Sequence, residues 1–355
     1  GFLTVDEANF WLDRSAAFLD ALRRGDWAAT AISTHPGVTT MWLGGVGLLL
    51  REALVDPGLL PGDFATSLAL MRLPGAIVHA AAVAVGYAML RRLLPAHTAL
   101  LAALLWAADP FVVAYSRLLH VDALAGTFMT LSVLAALAGN AEGRTLNAEG
   151  ARSAFGRRWL ARHIGWWLFS GTLGGLALLD ALTGGGYTLH VWWNFERTSW
   201  WSPGLFRKIA GLLGFWWPAM LLSGAAVLLA PRCRAMLPLA AYALVSPLTL
   251  LLAGETGANH NHLLESHLAL ALGAGAALGC AVCDPRRGWK LGLPLAAPSA
   301  TGYRLSAIGY RLSLWGLAAA LTAFALWPAL WVDPLGALAW LRTGVEAEGA
   351  QPPML

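Results

Sequence analysis

The sequence predicts an all-α integral membrane protein: a polytopic helix bundle of about eight spans, with juxtamembrane helices ahead of the first of them. Three observations predict it. The mean hydropathy is +0.59. Of 355 residues, 57% are hydrophobic and only 12% charged, a balance outside that of ordinary soluble domains. Apolar runs about 20 residues long, the length a helix needs to cross a hydrocarbon core, recur along the whole chain.

Taken in order, the chain opens with NFWLDRSAAFLDALRRGDW. Phe10, Trp11, Phe18, Leu19 and Leu22 recur there at helical spacing, with Asp13, Arg14, Asp20 and Arg23 between them. That is the pattern of an amphipathic helix lying on a bilayer. The next apolar stretch, VTTMWLGGVGLLLREAL (38–54), is short and glycine-bearing, and is assigned to the surface. Spans are expected at 72–90, 98–116, 120–138, 164–182, 209–230, 236–253, 263–283 and 312–331. The organisation is then an extracytoplasmic juxtamembrane segment (1–71), a transmembrane helical domain (72–331) and an extracytoplasmic tail (332–355). No cleavable signal is visible, and a further span is expected ahead of Gly1. The cysteines, Cys233, Cys280 and Cys283, are read as small buried apolar residues.

Charge fixes the orientation. With 38–54 outside the bilayer, one side receives the loops 91–97, 139–163, 231–234 and 284–311. These carry two, five, two and five of the chain's 24 basic residues, against three of its 20 acids (Glu142, Glu149 and Asp284). Basic loops face the cytoplasm. Spread over short loops in this way, the basic residues serve topology and exclude nucleic-acid binding as a function.

The opposite side gathers an uncommon set of polar residues: Asp6 and Glu7; His35 in THPG; Arg72; Arg117, His120 and Asp122 in SRLLHVD; His190, Glu196 and Arg197 in GGGYTLHVWWNFERTSWW; and Glu255, His260, His262, Glu265 and His267 in GETGANHNHLLESH. Charges at membrane depth are costly unless paired or hydrated. With Asp109 and Asp180 near span ends, the set is expected to line one water-filled cavity suited to a ligand with a lipid tail and a charged head. Plainer readings stand beside this. Asp6 and Glu7 are also what a helix start carries. Arg117 and Asp122 could be a structural ion pair. The aromatic run at 192–201 fits an interfacial belt as well as a sugar-stacking surface.

Four stretches in order, VDEANFW, THPGVTTMW, LMRLPGAIVHA and AYSRLLHVDALAGTFMTLSVLAAL, resemble the GT-C membrane glycosyltransferases that use polyprenyl-phosphate sugars, the protein O-mannosyltransferase and aminoarabinose-transferase group. The resemblance covers residues 1–140; the later half agrees in hydropathy and in GANHNHLLE. It implies a GT-C-like bundle and an inverting transfer of sugar from a polyprenyl-phosphate donor at the outer face of a bacterial cytoplasmic membrane. By the same resemblance Asp6 is the base, supported by Glu7, and Asp122 orients cations or acceptor. His35, Arg72 and Arg117 are candidates for the donor phosphate, and His260, His262 and Glu265 for acceptor or sugar. Partners are the donor and membrane lipids, with protein partners open. No cofactor is called for, although His260 and His262 with an acid nearby leave a divalent metal open. Two departures, Thr34-His35 in place of a Lys or acid beside the histidine and no Lys after LALLDALTGGGY, keep an alternative: a catalytically inactive GT-C-like scaffold subunit binding lipid or partner proteins. A transporter would need internal repeats, and none is visible.

Overall fold

The structure, a computed structural model, describes residues 3–4, 6–34, 37–149, 154–181 and 301–349. Among these residues every regular element is helical. A wide π-helical turn, Glu7–Trp11, runs directly into α1 (Leu12–Arg24). Ser15, Phe18 and Ala21 form the buried stripe of α1, and Gly25, with φ +68°, ends it with backbone bonds to Ala21 and Leu22.

Next comes α2 (Val38–Leu54), which starts at Gly37 with φ +50°. Gly37 is glycine for two reasons. The left-handed conformation disfavours a side chain, and a Cβ there would lie 2.2 Å from the Trp11 ring. One face of α2 is buried between α1 and the following helix, where Gly47 lets the backbone at Met71 approach to 2.4 Å from where its Cβ would stand. Phe18 and Trp42 meet edge to face at 5.3 Å between α1 and α2.

α3 (Phe64–Leu93) is capped by Asp63, whose carboxylate accepts the Thr66 N–H at 2.8 Å. The helix is 30 residues long, longer than the expected 72–90. The expected span 98–116 is corrected: it is broken into α4 (Ala96–Ala108) and α5 (Pro110–Ser116). Pro110 disfavours a helical Asp109, which is extended (ψ 118°) and caps the new turn by accepting the Val112 N–H at 2.9 Å. The long helices α6 (Val121–Glu149) and α7 (Ala154–Ala181) follow. Later in the chain stand α8 (Thr301–Leu326), α9 (Ala329–Val332) and α10 (Pro334–Gly349). The last expected span therefore stops short of 331, because Pro328 interrupts it.

Among the described residues three segments are long and apolar enough to cross a membrane: α3, Val121–Ala141 of α6, and Gly309–Leu326 of α8. The expected spans 209–230, 236–253 and 263–283 lie outside the described residues. The main core joins α3, α4, α6 and α7 through Leu90, Trp106, Phe128, Leu134 and Leu173. Inside it, polar side chains pair across helices, as apolar surroundings require. His79 Nδ1 meets Thr127 Oγ1 at 3.0 Å. Ser132 and Ser170 each donate to the other's carbonyl, at 2.8 and 2.7 Å.

Candidate active site

The site is assembled from three stretches far apart in sequence: the turn before α1, the third turn of α3, and the loop between α5 and α6 with the start of α6. Thr4 and Glu7 form a reciprocal cap. The Thr4 hydroxyl and N–H donate to Glu7 Oε2 at 2.8 and 3.1 Å, and the Glu7 N–H returns to Thr4 Oγ1 at 3.3 Å. This matches the helix-start reading of the acidic pair, but Glu7 does more. Its side chain is 0% exposed, and Arg72 grips it with Nε to Oε1 at 2.7 Å and Nη2 to Oε2 at 2.6 Å. The backbone N–H of Leu119 donates to Oε1 at 2.9 Å. Burial works to raise the Glu7 pKa; the bonds from Arg72, Leu119 and Thr4 outweigh it and hold the carboxyl below its ordinary range.

Asp6 is turned the other way. Its side chain is 48% exposed, and its Oδ2 meets His120 Nε2 at 2.9 Å. His120 is itself buried at 7% exposure, boxed edge-on by Trp11 at 6.4 Å and Tyr115 at 6.2 Å between ring centroids. Its other nitrogen, Nδ1, lies 3.3 Å from Asp122 Oδ2 and 3.3 Å from the Asp122 backbone nitrogen. Asp122, in the first turn of α6, is 26% exposed at its side chain. The imidazole thus bridges two carboxylates. The hydrogen bond from His120 holds the Asp6 pKa down. For His120, burial opposes the charge, but the bond to Asp6 and the charges of Asp122, Asp6 and Glu7 outweigh it and raise the pKa. Nδ1 has a partner in either protonation state. The imidazolium can donate to Asp122 Oδ2, and the neutral ring can accept the Asp122 N–H.

Of the sequence-derived candidates, Asp6, Glu7, Arg72 and Asp122 meet here. Arg117 stands exposed in the same loop, three residues before His120. His35, His260, His262 and Glu265 lie outside the described residues. Asp109 and Asp180 were expected to face water; both are buried. Asp109 caps α5, and Asp180 accepts the Thr40 N–H at 3.1 Å at the start of α2, where helix N–H groups favour a carboxylate. Among the described residues no group of three or more His, Cys, Asp or Glu is arranged to hold a metal ion. His120 was not assigned a role from the sequence. The signal was present in its spacing, two residues before Asp122 in SRLLHVD.

Chemically, the cluster offers a half-exposed carboxylate with one oxygen anchored by a buried imidazole and a chain neighbour locked in the interior. Residues 64–157 match the model of the dolichyl-phosphate-mannose-protein mannosyltransferase family. The stretch similar to mannosyltransferases thus carries Arg72, Arg117, His120 and Asp122, while Asp6 and Glu7 lie ahead of it. No curated protein and no solved structure matches the chain.

Proposed function

We propose that this protein is a membrane glycosyltransferase that moves a sugar from a polyprenyl-phosphate donor to an acceptor hydroxyl, with inversion, at the outer face of a bacterial cytoplasmic membrane. Membrane character and glycosyl transfer in general are supported by the three apolar helices and by the mannosyltransferase-family match. The donor, the side of the membrane and the residue roles are our reading. The observation that carries the residue roles is the Asp6–His120–Asp122 bridge, with its exposed end at Asp6.

In this reading Asp6 is the base. A hydroxyl is a poor nucleophile, and a carboxylate positioned beside it takes the proton as the oxygen attacks the anomeric carbon. The C1–O bond to the lipid phosphate breaks with its electron pair, and the phosphate leaves as an anion stabilised by cationic donors. His120 is a positioning residue. It holds Oδ2 of Asp6, leaving Oδ1 to face the acceptor, and Asp122 holds the imidazole from behind. Glu7 positions Asp6 through the backbone rather than by touching substrate. Arg117, exposed in the loop beside His120, is a candidate cation for the leaving phosphate.

The test is transfer by the full-length protein in lipid nanodiscs, supplied with polyprenyl-phosphate sugars and followed by release of polyprenyl phosphate. Asp6→Asn keeps the shape and removes the base. It is expected to lower the rate by about 10²–10⁴-fold while the protein stays folded, with only a small drop in unfolding temperature from the lost His120 ion pair. Equal background rates in both proteins would favour the inactive scaffold instead.

A further inference from the structure

The first 72 residues carry Arg14, Arg23, Arg24, Arg51 and Arg72. Four have a carboxylate partner: Arg23 with Glu52, Arg24 with Asp20, Arg51 with Asp56 and Arg72 with Glu7. Arg14 differs. Among the described residues it pairs with no carboxylate, although it is half-buried. Its guanidinium carbon lies instead over two rings, 4.7 Å from the Phe10 centroid and 5.1 Å from that of Trp11.

Removing a guanidinium from water without a counter-charge is costly, and cation–π contact offsets only part of that. Burial accordingly works to lower the Arg14 pKa. Position adds the second argument. The Trp11 ring that Arg14 covers is the same ring that packs edge-on against His120. One indole therefore separates the unmatched cation from the Asp6–His120 pair. Phe10, the second ring in contact with the guanidinium, is exposed and apolar. An anionic head seated at Arg14 would have a greasy surface beside it and the candidate base one ring away.

We propose that Arg14 is a phosphate seat for an isoprenoid-phosphate lipid, engaging the phosphate oxygens through its planar donors while the Phe10 side receives the first isoprene units. The assignment rests on the glycosyl-transfer reading for the identity of the lipid, but its geometry stands apart from the catalytic carboxylates. The guanidinium could bind the phosphate of a bulk phospholipid by the same chemistry. The link through Trp11 to His120 favours the isoprenoid.

The experiment uses the full chain in phosphatidylcholine nanodiscs. Retention of radiolabelled polyprenyl monophosphate is measured against uncharged polyprenol of the same length. Arg14→Gln is expected to weaken retention of the phosphate about tenfold or more and to leave polyprenol unchanged; Arg14→Lys, which keeps the charge, recovers part of the loss. Wild-type retention in Arg14→Gln, or an equal loss of both lipids, would overturn the proposal. So would displacement of the probe by an equal amount of phosphatidylglycerol, which would make this a general headgroup contact. If Arg14→Gln lowers the unfolding temperature, Phe10→Ala serves as second variant, with a smaller loss of phosphate-dependent retention expected and no loss refuting. Wild-type protein that holds the lipid phosphate through Arg14 yet transfers no sugar would retire the transfer reading alone. Transfer that survives Arg14→Gln with an unchanged donor KM would retire the seat alone.

Discussion

Arg72→Leu isolates the energetic weight of the Glu7 junction. The wild-type carboxylate is fully buried and accepts from Arg72 through two nitrogens, from the Leu119 N–H, and from Thr4 through hydroxyl and N–H. Leucine keeps the bulk of the stem but leaves the carboxylate with only the Thr4 and Leu119 donors. Breaking a buried ion pair by removing one member costs about 3–5 kcal/mol, because the surviving charge stays buried. The Arg72 side chain is 16% exposed, so some water can reach the gap, and the lower end, about 3 kcal/mol, is expected. Replacing both partners, Glu7→Leu with Arg72→Leu, removes the stranded charge and should restore more than half of that loss. The assay is chemical unfolding in detergent for both single variants and the double, read as a double-mutant cycle. The Arg23–Glu52 pair is the internal control: it has the same bidentate form but side chains 47% and 39% exposed, so its cycle should give little coupling. If the Glu7–Arg72 cycle gives no more coupling than this surface pair, the argument that Glu7 is a desolvated junction fails.

Three other outcomes follow from the same geometry. The pKa of His120 is raised in the folded protein, so its ion pairs contribute stability that is fully present below its unfolded value of about 6.5 and lost as pH rises through the folded value. His120→Gln should therefore lower the unfolding temperature most below about pH 6.5, with the gap closing towards alkaline pH; a gap that widens with pH would refute the assignment. Asp6 and Glu7, lowered instead, contribute stability that is lost as pH falls through their folded values, so the gap in unfolding temperature between wild type and Arg72→Leu should narrow in acid as the Glu7 charge is neutralised. Gly37→Ala meets the Trp11 ring in a left-handed conformation and should cost about 2–4 kcal/mol. Gly25→Ala, also left-handed but with nothing within 4 Å of its Cβ, should cost about 1 kcal/mol; equal losses would mean the Trp11 contact is soft.

Hydropathy located α3, α6 and α8 because a bilayer-length apolar run has few other uses. It misjudged where two runs stop. Asp109-Pro110 and Trp327-Pro328 are breaks of backbone chemistry, and an average over an apolar window does not register a missing N–H. The candidate site was legible in part. Asp6, Glu7, Arg72 and Asp122 were gathered by their order along the chain. Nothing local distinguishes Asp6 from Glu7, since adjacent acids look alike until one is buried. The division arises only when α3 supplies Arg72 and the α5–α6 loop supplies Leu119, contacts 65 and 112 residues away. His120 escaped for the same reason: its partner Asp6 lies 114 residues earlier.

The Glu7 carboxylate has a mechanical consequence. It is a tie-rod fastened at one end to the peptide that carries Asp6 and at the other to two separate walls of the bundle. If α3 tilts or slides against the start of α6, the rod is pulled, and the carboxylate one residue away changes its aim. Long helices answer a thinner or thicker lipid film by tilting. A tilt of α3 large enough to move Arg72 would then reach Asp6 through this one side chain.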